Sequence, residues 1–94
     1  MRLTWDLVFK CGDGEFLDVS IRKLGNRNIY LVRVYVWFNL WDSAIFDNIK
    51  ECVELIRENL KILMGKSHRS ENQNEIIGTC LEKLKTVRCM ENGL

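Results

Sequence analysis

Two short interruptions, Gly12-Asp13-Gly14 and Gly25-Asn26-Arg27-Asn28, cut the first 38 residues into three pieces of strand length. Glycine reaches positive φ at no steric cost, and Asp and Asn side chains bond their own backbone, so both interruptions have the chemistry of tight turns. Between them apolar and polar residues alternate. Leu3, Trp5, Leu7, Phe9 and Cys11 fall on one face of the first piece, with Thr4, Asp6, Val8 and Lys10 on the other. Leu17, Val19 and Ile21 oppose Asp18, Ser20 and Arg22 in the second. Period two over such lengths marks half-buried strands. Strands joined by tight turns pair with their sequence neighbours, which makes an antiparallel meander.

The third piece breaks the alternation. From Tyr30 to Trp41 the chain reads YLVRVYVWFNLW, with Arg33 as its one charge. Tyr30, Val32, Val34, Val36 and Phe38 make the better core set, which sends Ile29, Leu31, Arg33, Tyr35, Trp37 and Asn39 outward. The last strand of a three-stranded meander is an edge. An edge that is apolar on both faces calls for a cover. The cover comes either from within the chain, with strand three central and strand one crossing to its far side or the second helix wrapped onto its outer face, or from a second copy or a partner protein.

Helical spacing follows. Ile45, Phe46, Ile49, Cys52, Val53, Ile56, Leu60, Leu63 and Met64 recur at threes and fours, an amphipathic stripe. Asp42 or Ser43 suits the N-cap, because a side-chain oxygen there accepts a free amide, and Gly65 suits the stop. Residues 66–75 are polar and read as a surface loop. A second helix is expected from near Asn72, with Glu75 completing a capping box and a stripe of Ile76, Ile77, Cys80, Leu81, Leu84 and Val87. Gly78, inside it, reads as a point where a neighbouring helix approaches closely. The expected architecture is one α+β domain over residues 1–94: a three-stranded antiparallel β-meander followed by two α-helices packed on one face, β-β-β-α-α.

Composition and chemistry narrow the function. The formal net charge of +1 gives no global field toward nucleic acid or anionic membrane. No apolar run reaches the roughly 18 residues that suggest a membrane span. Asp6 and Lys10 interrupt the start where a leader peptide needs continuous apolar residues. A cytoplasmic location is expected, in a host cell if the source is viral. Cys11, Cys52, Cys80 and Cys89 include no CxxC pair, so neither a zinc site nor a disulfide framework is expected, and Cys52 and Cys80 are placed to touch between helices. His68 is the one histidine, in the polar loop, and no Ser or Cys is matched to it by spacing. The Gly12–Gly14 turn opens onto a strand, whereas a phosphate cradle opens onto a helix. No catalytic set, metal or cofactor is expected, and the chain reads as a non-enzyme.

What is left is binding. Arg33, Tyr35, Trp37 and Trp41 are the residue types that dominate protein interfaces, and they are the expected partner-binding set. Asp47, Glu51, Glu54 and Glu58 form a second, acidic surface on the first helix. Small size without catalytic groups fits an inhibitor or neutraliser that occludes a partner protein, of the phage anti-defence kind, such as an anti-CRISPR, or of the toxin-immunity kind. A homodimer through strand 29–38 would also cover the apolar edge. The alternative is a nucleic-acid-binding module that stacks bases on an aromatic and basic sheet face. Near-neutral charge, with Asp6 and Asp18 on that face, weighs against it.

Overall fold

A computed structural model describes residues 3–66 and 70–92, with side chains as far as Val87. The strands are β1 (Trp5–Cys11), β2 (Leu17–Leu24), β3 (Tyr30–Val36) and β4 (Asn39–Phe46), and the helices are α1 (Ile49–Gly65) and α2 (Glu71–Asn92). The sheet runs β1-β2-β3-β4, antiparallel throughout. An α+β meander followed by two helices is therefore the architecture, with four strands where three were expected.

The fourth strand arises because the chain reverses at Trp37-Phe38. Both residues have positive φ, 50° and 66°, and they form a two-residue turn between β3 and β4. Ile45 and Phe46 fit a helical stripe by spacing, but they continue β4, opposite Leu31 and Tyr30. The helix starts later, and Asn48 rather than Asp42 or Ser43 caps it by accepting the Glu51 amide at 2.9 Å. At α2 the capping box lies just upstream of the expected one. The Ser70 hydroxyl accepts the Gln73 amide, and the Gln73 side chain accepts the Ser70 amide. His68 lies outside the described residues, as does the Cys89 side chain.

The fourth strand also makes β3 internal. Both of its edges are hydrogen-bonded, to β2 and to β4, so the homodimer expected through strand 29–38 has no free edge to use.

Leu17, Val19, Ile21, Val32 and Val34 are fully buried and face Cys52, Val53, Ile56, Leu60 and Leu63 of α1 and Ile77, Cys80 and Leu84 of α2. α1 lies over β3 and β4, and α2 contacts α1 and β1. Completely burying a Val, Leu or Ile side chain stabilises by about 1.5–3 kcal/mol, so this single interface carries most of the fold's driving force. The Cα envelope is 17 Å across its shortest axis, which is a two-layer thickness.

Two one-residue bulges set the faces. In β1 the pairing jumps from Leu7–Arg22 to Phe9–Ile21, leaving Val8 extra. Phe9 and Cys11 are buried as expected, but Trp5 and Leu7 turn to the opposite, outer face and are exposed. In β4 the jump falls between Asp42, opposite Val34, and Leu40, opposite Tyr35, leaving Trp41 extra.

The β1–β2 connection depends on Gly12, at φ 108°, where a Cβ would run into the Leu17 carbonyl. Beside it, the Asp13 carboxylate accepts the amides of Leu17 (3.0 Å) and Glu15 (3.1 Å). Gly78 has open space where a Cβ would stand, so it makes no close helix approach, contrary to the sequence expectation.

Gly78→Ala should therefore raise the unfolding free energy by about 0.5–1 kcal/mol, read as a higher urea midpoint at unchanged slope. Asp13 supplies a pH test. The Leu17 amide chiefly holds its carboxyl below the ordinary value of 3.8, against the opposing effect of burial and with lesser help from the Glu15 amide. A depressed folded value means the contribution is complete above the unfolded value and is lost as pH falls through the folded one. Asp13→Asn keeps an acceptor oxygen but cannot titrate. The stability gap between wild type and this variant should be roughly a few tenths of a kcal/mol, constant above about pH 5, and should close on acidification below that.

Candidate interaction surface

Helices cover one face of the sheet, and the other is outside. Across it, strand by strand, run Leu7, Arg22, Leu31 and Ile45, then Lys10, Ser20, Arg33 and Ser43, then Asp18, Tyr35 and Leu40. Trp5 and Leu24 begin the face. Trp5 (37 %), Leu7 (51 %), Leu40 (55 %) and Ile45 (63 %) are exposed, while Leu24, Leu31, Arg22, Arg33 and Tyr35 are half-buried. Two apolar groups, Trp5, Leu7, Leu24, Leu31 and Ile45 toward one end and Tyr35 and Leu40 toward the other, flank the polar row of Lys10, Ser20, Arg33 and Ser43. Clustered exposed apolar residues bordered by polar ones mark an interaction site more often than scattered exposed leucines do.

The expected partner-binding residues are divided by the fold. Arg33 and Tyr35 lie on the outer face. Trp37 is in the turn, where its ring meets Phe16 edge-on at 5.3 Å and its amide donates to the Phe16 carbonyl. Trp41 is on the helix side. Its Nε1 donates to Asn59 Oδ1 at 3.0 Å, and Lys66 Nζ lies 5.5 Å from its ring. The bulge explains this, because it brings Trp41 and Asp42 together toward α1. Asn59 Nδ2 in turn donates to Asp42 Oδ2 (2.9 Å) and to the Leu55 carbonyl (2.8 Å). Asn59 is buried and was missed in the sequence. Its signal was a polar residue at a stripe position, spaced by fours and threes from Cys52, Ile56 and Leu63. Each bond of this net contributes about 1 kcal/mol, and the two that involve Trp41 and Asp42 tie β4 to α1.

The turn itself carries strain. An L-residue in the left-handed region costs about 1–2 kcal/mol, and Asn-Gly is the low-cost choice for such a turn. Instead, Trp37 and Phe38 hold two large rings there, 48 % and 71 % exposed. Phe38 and Tyr35, with Gly14, Glu15 and Asp18, line a recess of about 230 Å³ that joins the turn to the outer face.

The acidic residues Asp47, Glu51, Glu54 and Glu58 are all exposed. Asp47 stands in the connection before α1, and the three glutamates follow at helical spacing. They lie on the helical layer, away from the outer sheet face, and Lys50 and Lys61 interrupt them.

A second cleft, of about 250 Å³, lies between Gly12-Asp13 and Asn72, Glu75, Ile76, Thr79 and Cys80 of α2. Behind it the buried Cys11 and Cys80 thiols meet, so the neighbour of Cys80 across the fold is Cys11 rather than the expected Cys52. Hydrogen bonding with Cys80, then burial, pushes the Cys11 thiol up. The same bond lowers Cys80, against burial and with help from Lys83. The thiol of Cys52 instead donates to the Asn48 carbonyl at 3.5 Å. Among the described residues no three His, Cys, Asp or Glu side chains cluster as a metal set, and no helix is long and apolar enough to cross a membrane.

No protein-family model, curated protein or solved structure matches the chain.

Replacing Phe38 relieves strain and removes an exposed ring that packs little. Phe38→Gly should therefore stabilise the fold by about 0.5–1 kcal/mol, the left-handed penalty less the added chain entropy of glycine. A lower melting temperature for this variant would mean that the ring supports the hairpin.

Proposed function

We propose that this chain is a non-catalytic binding protein that captures another protein on its outer sheet face and aromatic turn and acts by occluding the target. The observation that carries this reading is the Trp37-Phe38 turn. Folding alone favours small, flexible residues there, yet two exposed aromatic rings occupy strained positions, and strain of this kind collects at functional sites. Large rigid rings bury area at small entropic cost when a partner covers them. Leu40, Tyr35, Ile45 and Leu7 extend the same surface. Inhibition or neutralisation of the partner is the form of action that fits a domain of this size whose binding surface is one open face.

One observation favours a rival. Lys10, Arg22 and Arg33 point outward on a face that also holds Trp5 and Tyr35, which is the residue mixture of single-strand nucleic-acid binders.

Affinity capture from the native host, followed by reconstitution with the purified captured protein, tests the reading. A stoichiometric complex should form. Phe38→Gly and Ile45→Asp should each weaken it by on the order of tenfold or more, while circular dichroism stays unchanged. The triple reversal Glu51→Lys, Glu54→Lys, Glu58→Lys should leave it intact. The opposite pattern would move the contact to the acidic helix. Tight oligonucleotide binding that falls steeply with salt, and no protein complex, would establish the rival instead.

A further inference from the structure

Arg22 and Arg33 are diagonal neighbours on the outer face, since Arg22 stands opposite Leu31 and Arg33 opposite Ser20. Both are half-buried, and the Nε of each is covered and has no hydrogen-bond acceptor. Among the described residues neither guanidinium makes an ion pair. Asp18, the acid on this face of β2, stands opposite Tyr35 and bonds to neither arginine. Two like charges are thus held side by side and partly dehydrated, Arg22 between Leu7 and Leu31 and Arg33 between Ser20 and Ser43. Each pays for lost hydration without a counter-charge.

A carboxylate seated across the terminal nitrogens offsets both costs, because Arg–carboxylate bonds are charge-assisted and often bidentate. A phosphate would carry the same charge. The row that holds Arg22, however, runs Leu7, Leu31 and Ile45, which matches apolar side chains. Arg33 stands between Ser20 and Ser43 with Tyr35 as the one ring next to it on β3, a single platform where a bound strand would stack successive bases. A second copy docked face to face on an axis through the pair would bring another arginine pair onto this one and add repulsion.

We propose that the outer sheet face receives an acidic, apolar segment of a partner protein. An Asp or Glu carboxylate sits on Arg22 and Arg33, and its aliphatic or aromatic neighbours lie over Leu7, Leu31 and Ile45. This names the partner chemistry and rests on the reading of the face as a protein-binding surface.

The test is selection of a displayed library of short random peptides on the immobilised full chain. The enriched peptides should carry Asp or Glu flanked by apolar residues. A resynthesised peptide should lose at least about tenfold in affinity when its acid becomes the amide, and the same on the Arg22→Gln, Arg33→Gln protein. The peptide-side change needs no altered protein, so it stands even if that variant fails to fold. Enriched peptides without acids, or acid-to-amide changes without effect, overturn the carboxylate seat and leave the protein-binding reading standing. No enrichment, or binding that survives Leu7→Asp with Ile45→Asp, overturns both. Oligothymidylate binding tighter than any selected peptide, or a dimer in sedimentation that Arg22→Gln, Arg33→Gln strengthens, overturns the proposal in favour of nucleic acid or a second copy.

Discussion

One inserted residue in a β-strand exchanges its two faces, because successive side chains alternate strictly. Two such insertions, Val8 in β1 and Trp41 in β4, decide what this sheet offers its helices and what it offers outward. Without the first, Trp5 and Leu7 would join Phe9 in the core. With it, they extend an apolar surface that no helix covers. The second brings Trp41 and Asp42 onto α1, where Asn59 bonds to both. The same device thus enlarges the open face at one edge and secures the helical layer at the other.

The buried Asn59 net has consequences beyond its own bonds. A β4 strand held only at the sheet edge would open easily, since edge strands have pairing on one side alone. Tied through Trp41 and Asp42 to the centre of α1, it is fixed from both layers. The turn before it therefore has a rigid base, and rigidity is what allows two rings to be held in a left-handed conformation. Strain persists only where the surroundings over-determine it.

The outer face and the aromatic turn form one continuous surface through the recess beneath Phe38 and Tyr35. Its chemistry changes along its length. The turn end is aromatic and borders Glu15 and Asp18, the middle holds the unpaired arginines, and the far end is Leu7 and Trp5. An open and chemically graded surface is the reason the proposed partner is an extended segment rather than a small molecule, for which ligands need deeper concavity.

The sequence by itself determined the α+β class, the meander order, β2 and β3 with their faces through Val36, the α1 stripe from Ile49 to Leu63 and the α2 stripe, because period two and period 3.6 are local properties that burial then respects, although Met64, expected in the α1 stripe, is exposed. It also determined the Gly12 and Gly25 turns, whose chemistry is written in their residues. Only the tertiary structure decided the fourth strand, the inner position of β3 and the division of the expected site, with Arg33 and Tyr35 outward, Trp37 at the turn and Trp41 on the helix. The reason is physical. A turn made of Trp-Phe carries no turn signal, and Ile45 and Phe46 satisfy both periods at once. A bulge is set by pairing across strands rather than by the strand that holds it, so where the faces exchange is known only once the neighbours are in place.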